Sequence, residues 1–303
     1  MKIGVVGAGS VGLYYGGLLA RAGYDVHFHL RGGLAEAQRD GIRIFSQLGD
    51  VHLPSPHIYQ SSADIGPCEL VIVSLKTTSN SALANLLPPL LHAESMVLTL
   101  QNGLGNEEYL ASLVGAERIL GGLCFVCLNR QTPASVVHIG HGSISLGEFG
   151  RPPLARTRAV HTAFIKAGIQ AELVEDLAEE RWRKLIWNVP FNGLAVARGG
   201  ISVDQILADD GLKKECRALM REITSTANAL GLSIEAGYGD HQIERTYPMG
   251  AYRPSTLIDF LAGQELEIEP IWGEPLRIAQ KIGIPTPHLA HLYRELQNAN
   301  RRT

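Results

Sequence analysis

The chain has 303 residues, 45% of them hydrophobic and 19% charged, with a formal net charge of −3. These are the proportions of a globular chain that dissolves in water, and the length exceeds what one hydrophobic core usually supports, so two domains are expected. The slightly acidic balance gives no electrostatic reason to expect a nucleic acid or an anionic membrane as partner.

Lys2-Ile3-Gly4-Val5-Val6 reads as a short buried parallel strand. It runs into Gly7-Ala8-Gly9-Ser10-Val11-Gly12, and a helix is expected over 11–22. In such a strand-turn-helix context the first glycine permits the tight turn, the second lets backbone approach a pyrophosphate, and the third lets the helix pack on the strand. The helix N-terminus adds unpaired N–H groups and partial positive charge. The segment Ile3 to Ala20 is uncharged, but it contains six glycines in this pattern. It therefore reads as a dinucleotide loop rather than a membrane span, and Met1-Lys2 is too little for a basic leader, so a cytoplasmic location is expected.

A second strand over 25–30 ends in Leu30-Arg31-Gly32-Gly33. An acid at that strand end would bind a ribose 2′-hydroxyl; Arg31 instead suits a 2′-phosphate, which favours NADP over NAD and counts against FAD. After an irregular stretch, buried strands are predicted over 69–75 and 96–100, with a helix over 80–91 between them. They end in Lys76 and in Gln101-Asn102-Gly103, at the carboxyl ends where ligands bind in doubly wound sheets. Further strands over 119–127, 136–139 and 143–146 extend the sheet, and a helix follows over 154–167. Cys124 and Cys127 form a C-x-x-C within a strand, where residues three apart face opposite ways, so buried free thiols are expected rather than a disulfide or chelate.

Beyond Glu175 the periodicity is helical throughout. A helix over 176–197, kinked at Pro190, carries Lys184, Asn188 and Asn192 at four-residue spacing, which places them along one side. Trp182, Trp187, Val189 and Phe191 surround this stripe, so its polar side calls for a reason. One ammonium and two amides suit a small substrate with carbonyl, hydroxyl or carboxylate groups. Other helices are expected over 203–207, 211–230, 240–244, 255–261, 271–282 and 288–298. The pairs His27/His29 and His288/His291 lack a third ligand at a recognisable spacing, so no metal site is expected. The oligomeric state cannot be read from the sequence, although apolar helical surface in this half would permit a homodimer.

Taken together the chain resembles the ketopantoate reductase (2-dehydropantoate 2-reductase) family over essentially its whole length. The resemblance rests on Gly7 to Gly12, Lys76, Gln101-Asn102-Gly103, Lys184-x3-Asn188-x3-Asn192, Ser255-x3-Asp259 and Leu266-Glu267-Ile268-Glu269. It implies an α/β fold with an N-terminal Rossmann-type doubly wound sheet over 1–174 that binds NADP. An all-helical C-terminal domain over 175–303, like that of 6-phosphogluconate dehydrogenase, would carry substrate binding and catalysis. The implied reaction is NADPH-dependent reduction of 2-dehydropantoate to pantoate, a step of pantothenate biosynthesis. By the same resemblance Lys184 is the catalytic proton donor and Glu267 the essential glutamate, also beside the cofactor. Asn188, Asn192 and Ser255 are substrate-binding positions, Asn102 lies between nicotinamide and substrate, and Lys76 beside the cofactor. Asn192 is followed by Gly193 where the family usually has proline, no glutamine follows Lys76 closely, and the stretch Tyr247 to Arg253 is unlike the typical enzyme. A reductase of another branched 2-oxo acid or of an imine, and a non-catalytic NADP sensor, are the competing readings.

Overall fold

Alternation of apolar strands with short connecting helices builds the first part of the chain. The computed structural model describes residues 1–301. Its strands are β1 (Lys2–Val6), β2 (Asp25–His29), β3 (Ile42–Ser46), β4 (Val51–Leu53), β5 (His57–Tyr59), β6 (Leu70–Val73), β7 (Met96–Thr99), β8 (Ile119–Thr132), β9 (Ser135–Glu148) and β10 (Ala171–Leu173). Between them lie α1 (Ser10–Arg21), α2 (Leu34–Asp40), α3 (Ser62–Ile65), α4 (Leu83–Leu86), α5 (Asn106–Val114) and α6 (Ala155–Lys166).

The strands form one mixed sheet in the order β4-β3-β9-β8-β7-β6-β1-β2-β5, with β10 paired to β9. From β5 through β2, β1, β6 and β7 to β8 every neighbour is parallel, which reproduces the dinucleotide-fold order with its reversal between β1 and β6. All residues of β6 are buried, as are all but the first of β1 and β7, as expected of strands covered on both faces.

Four local expectations are revised. The supposedly irregular stretch after α2 holds β3, β4 and β5, strands too short and too polar on alternate positions to stand out. The helix expected over 80–91 is instead a 3₁₀ segment (Thr77–Ala82), the single turn α4, and another 3₁₀ turn (Pro88–Leu90). Pro88 and Pro89 cannot donate backbone hydrogen bonds, so a regular helix does not continue through them. The two strands expected over 136–139 and 143–146 are one strand, β9, bulged where His141 (φ 61°) and Gly142 (φ 116°) adopt left-handed backbone. It pairs antiparallel with β8 along its length, closed by a turn at Pro133-Ala134. Cys124 and Cys127 are free thiols, half-buried rather than buried.

The remainder is helical: α7 (Leu177–Ala197), α8 (Val203–Ala208), α9 (Asp210–Ala229), α10 (Tyr238–Glu244), α11 (Ser255–Leu261), α12 (Glu274–Lys281) and α13 (Pro287–Asn300). A π turn, Glu269–Gly273, leads into α12. By its contacts the described chain divides into two units: Met1–Gln101 with Asn106–Leu177, and Asn102–Gly105 with the residues from Ala178 on. The four residues after Gln101, which the sequence alone groups with the sheet, thus belong with the helices.

The helical unit packs around Phe191, Leu219, Ile223, Trp272 and Leu292, all inaccessible to solvent. Burying each such side chain contributes about 1.5–3 kcal/mol. Helix α7 continues through Pro190. Gly193 lets it approach α13: a methyl there would come within 2.6 Å of Leu292 and 2.9 Å of Trp272 Nε1. Trp272 in turn donates to the Val189 carbonyl at 2.9 Å.

Candidate active site

In the first unit, the chain turns sharply as it leaves β1. Gly7 has φ 91°, and a Cβ at this position would overlap the backbone of Leu75. The Gly9 N–H donates to the Gly7 carbonyl at 2.7 Å, and Ser74 Oγ, at the end of β6, donates to the same oxygen at 2.8 Å. Gly12 faces back onto this turn, where a methyl would lie 2.5 Å from both Gly7 O and Ser74 Oγ and 3.0 Å from Val5. At Gly9, by contrast, an added Cβ meets nothing closer than 3.9 Å. The loop is therefore braced from below and open above, at the point where the strand order reverses.

Helix α1 begins here with Gly9 as its N-cap, no side-chain cap and no acid in its first turn. The first-turn amides of Ser10, Val11 and Gly12 have no intrahelical acceptors by geometry, and Ala8 is buried beneath them. Backbone N–H groups with the positive end of the helix dipole form an anion cradle, which fits a dinucleotide pyrophosphate.

Arg31 is exposed just beyond β2, and the preceding Leu30 N–H donates to the Tyr59 carbonyl at 2.9 Å. Lys76 is half-buried at the start of the 3₁₀ segment after β6. The buried Gln101 ties that segment to the end of β7, donating through Nε2 to Leu75 O at 2.9 Å and Asn80 Oδ1 at 2.7 Å. A further cation near the glycine loop escaped the sequence reading. Arg130, near the tip of the β8–β9 hairpin, donates through Nη2 to the Ala8 carbonyl at 3.3 Å. No local pattern signals this residue, because 122 positions separate the two partners.

In the helical unit, Lys184 Nζ donates to Asn102 Oδ1 at 2.8 Å. Asn102 is held by its own short segment: Gly103 adopts φ 84° with its α-carbon against Pro270, and the Leu104 N–H donates to Pro270 O at 2.8 Å. One turn along α7, Asn188 is half-buried beside Trp187. That indole is fixed by stacking on Phe191 at 5.0 Å and by donating to Thr246 Oγ1 at 2.8 Å.

Asn192, a turn further, is only 3% exposed, and its Oδ1 accepts the Thr256 N–H at 3.1 Å. This amide thus satisfies an otherwise unpaired donor in the first turn of α11. The expectation that the whole Asn192 amide serves a substrate is narrowed to its Nδ2 group. Ser255 is the exposed first residue of α11, and Glu267 is half-buried before the π turn.

Among the described residues no cluster of three or more His, Cys, Asp or Glu side chains is arranged to hold a metal ion. His27 stacks on His57 at 4.8 Å and pairs with Asp25 at 2.8 Å. Burial pushes the His27 pKa down, against the opposing effect of Asp25. Among the same residues no helix is long and apolar enough to cross a membrane.

A sheet with this strand order and glycine cradle is that of a dinucleotide-binding protein, followed here by a helical unit in which a lysine donates to an amide. The family model described as ketopantoate reductase PanE/ApbA matches residues 3–151, and its C-terminal counterpart matches residues 176–300. The chain belongs to the ketopantoate reductase family and is an NADP-dependent oxidoreductase. It is 38% identical to a 2-dehydropantoate 2-reductase of Nostoc sp., over 98% of this chain and 94% of that one. Among solved structures it resembles the 2-dehydropantoate 2-reductase of Geobacter metallireducens (44% identity, TM-score 0.96, covering 99% of this chain and 100% of that one). A 2-dehydropantoate 2-reductase from Methylococcus capsulatus superposes with a TM-score of 0.93 at 29% identity, covering 100% of this chain and 97% of that one.

Proposed function

We propose that this enzyme reduces 2-dehydropantoate to pantoate, with Lys184 delivering the proton to the carbonyl oxygen. The observation that carries the reading is the 2.8 Å hydrogen bond from Lys184 Nζ to Asn102 Oδ1, because it holds the candidate acid against an amide that can orient its proton. NADPH supplies the hydride for the keto carbon. Gly7 to Gly12 with the α1 N-terminus hold the pyrophosphate, Arg31 takes the 2′-phosphate, and Lys76 lies alongside the cofactor. Asn102 aims the Lys184 ammonium, which stabilises the negative charge developing on oxygen and then protonates it. Asn188, the Asn192 Nδ2 group and the Ser255 hydroxyl bind the carboxylate and hydroxyl groups of the substrate. Glu267, half-buried before the π turn, lies beside the cofactor.

The family relationship supports this reading, as does the presence of every polar residue it needs. The test is loss of NADPH absorbance on addition of 2-dehydropantoate, compared with other branched 2-oxo acids and with NADH. Fastest turnover is expected for 2-dehydropantoate with NADPH. Tight NADPH binding without consumption by any 2-oxo acid would leave a nucleotide sensor in its place. We further take the protein to be cytoplasmic and a homodimer; a monomeric mass by sedimentation at working concentration would exclude the dimer.

A further inference from the structure

The tip of the β8–β9 hairpin meets the nucleotide loops from outside the usual strand-turn-helix motif. Pro133 packs on Gly33 so closely that a Cβ on that glycine, at φ 80°, would overlap the proline ring. Beside this contact the Arg130 guanidinium is held in one orientation by backbone carbonyls. Nε donates to Thr132 O at 3.1 Å, and Nη2 donates to Pro133 O at 2.9 Å and to Ala8 O at 3.3 Å. None of these partners is a carboxylate, so its charge is not neutralised by an ion pair there. Burial lowers the Arg130 pKa, Glu36 opposes this, and the like charge of Arg31 adds to the lowering. Arg31, two residues before the Gly33–Pro133 contact, and Arg130, from the hairpin that makes it, thus approach the edge of the glycine loop from separate elements.

We propose that Arg130 is a second anchor for the 2′-phosphate of NADPH, acting with Arg31, and so a further determinant of the preference for NADPH over NADH. The inference rests on the reading that places the 2′-phosphate at Arg31. Three features favour that phosphate over the pyrophosphate. The pyrophosphate already has the amides of α1; the 2′-phosphate carries close to two negative charges, matching two cations; and Pro133 sets the hairpin against Gly33, two residues beyond Arg31. The carbonyl contacts supply pre-organisation, since the guanidinium is fixed before the ligand arrives.

The experiment is calorimetric titration of the full-length enzyme with NADPH, NADH, 2′-phospho-ADP-ribose and ADP-ribose. The proteins compared are wild type, Arg130→Ala, Arg130→Lys and Arg31→Ala, each checked by thermal unfolding. Loss of one charge-assisted phosphate contact corresponds to about tenfold to a hundredfold in affinity. Arg130→Ala is expected to weaken NADPH and 2′-phospho-ADP-ribose by that factor while changing NADH and ADP-ribose less than about twofold. Arg130→Lys, which keeps the charge but not the fork, should show a smaller loss with the same selectivity. Equal weakening of phosphorylated and unphosphorylated ligands, or no weakening of either, would overturn the proposal. Should Arg130→Ala fail to fold, the selectivity of Arg130→Lys decides the matter alone. If Arg31→Ala does not discriminate between NADPH and NADH, the placement of the 2′-phosphate fails, whatever the Arg130 variants do.

Discussion

Removal of Asn102 tests whether the lysine acts alone or as half of a pair. The bond from Lys184 Nζ to Asn102 Oδ1 is 2.8 Å long, within the range of a charge-assisted hydrogen bond, and such bonds contribute about 1.5–3 kcal/mol. Lys184→Ala removes the proton donor and should lower kcat about 10²- to 10⁴-fold, or about 3–5 kcal/mol in barrier. Asn102→Ala leaves the amine but removes this hydrogen bond from its positioning, and a loss of about tenfold to a hundredfold in kcat follows. If the two act as a unit, the double variant should be scarcely slower than Lys184→Ala, giving a coupling energy of about 1.5–3 kcal/mol. Steady-state kinetics with saturating NADPH, and NADPH affinity by fluorescence for each variant, provide the measurements. Strictly additive losses would mean that Asn102 does not position the lysine. Unchanged turnover in Lys184→Ala would remove it from the chemistry altogether.

Three further outcomes are expected. Gly12→Ala forces a methyl to 2.5 Å from Gly7 O and Ser74 Oγ, so it should weaken NADPH and NADH alike by at least about tenfold; unchanged affinity by titration would contradict the braced loop. Gly193→Ala should destabilise the helical unit by about 1–3 kcal/mol through overpacking against Leu292 and Trp272. All three tryptophans, Trp182, Trp187 and Trp272, lie in that unit, so intrinsic fluorescence during urea unfolding reports it selectively, and an unshifted midpoint would refute the packing argument. Glu148 is a buried carboxylate that accepts from Arg156 at 2.7 and 2.9 Å, Arg151 at 3.3 Å and Thr157 at 2.5 Å. Burial pushes its pKa up, but these bonds and the two arginine charges outweigh burial and hold it below the usual glutamate value. Its stabilisation is therefore complete above the unfolded-state pKa, near pH 4.5, and is lost as pH falls through the lower folded value. Glu148→Gln should flatten the acid limb of the stability profile measured by circular dichroism, and an unchanged acid limb would refute this.

Local signals carried much of the fold. Three glycines between a strand and a helix, and polar residues recurring every fourth position among tryptophans, are patterns whose partners lie within a dozen residues. Helix α11 begins and ends at the residues expected because Pro254 and Gly263 punctuate it. What escaped depends on contacts far apart in the chain. Strands β3 and β4 exist because β9 offers an edge to β3, and neither is long or apolar enough to declare itself. Arg130 reads as a polar strand end until the hairpin folds its tip against Ala8 and Gly33. Asn192 presents the same spacing whether its carbonyl faces a ligand or, as here, the Thr256 N–H. The segment Asn102–Gly105 follows a sheet strand in sequence, yet the left-handed turn at Gly103 and the bond to Pro270 tie it to the helices.

In the proposed reaction, hydride passes from the nicotinamide to the keto carbon of 2-dehydropantoate. This transfer is tested most directly with NADPH carrying deuterium at C4 of the dihydronicotinamide, followed by mass spectrometry of the product. With deuterium at both C4 positions, the product should be pantoate carrying one deuterium at C2, formed in step with NADP⁺, and formed about 10²- to 10⁴-fold more slowly by Lys184→Ala. Unlabelled pantoate, or no pantoate from enzyme that binds NADPH tightly, would contradict it.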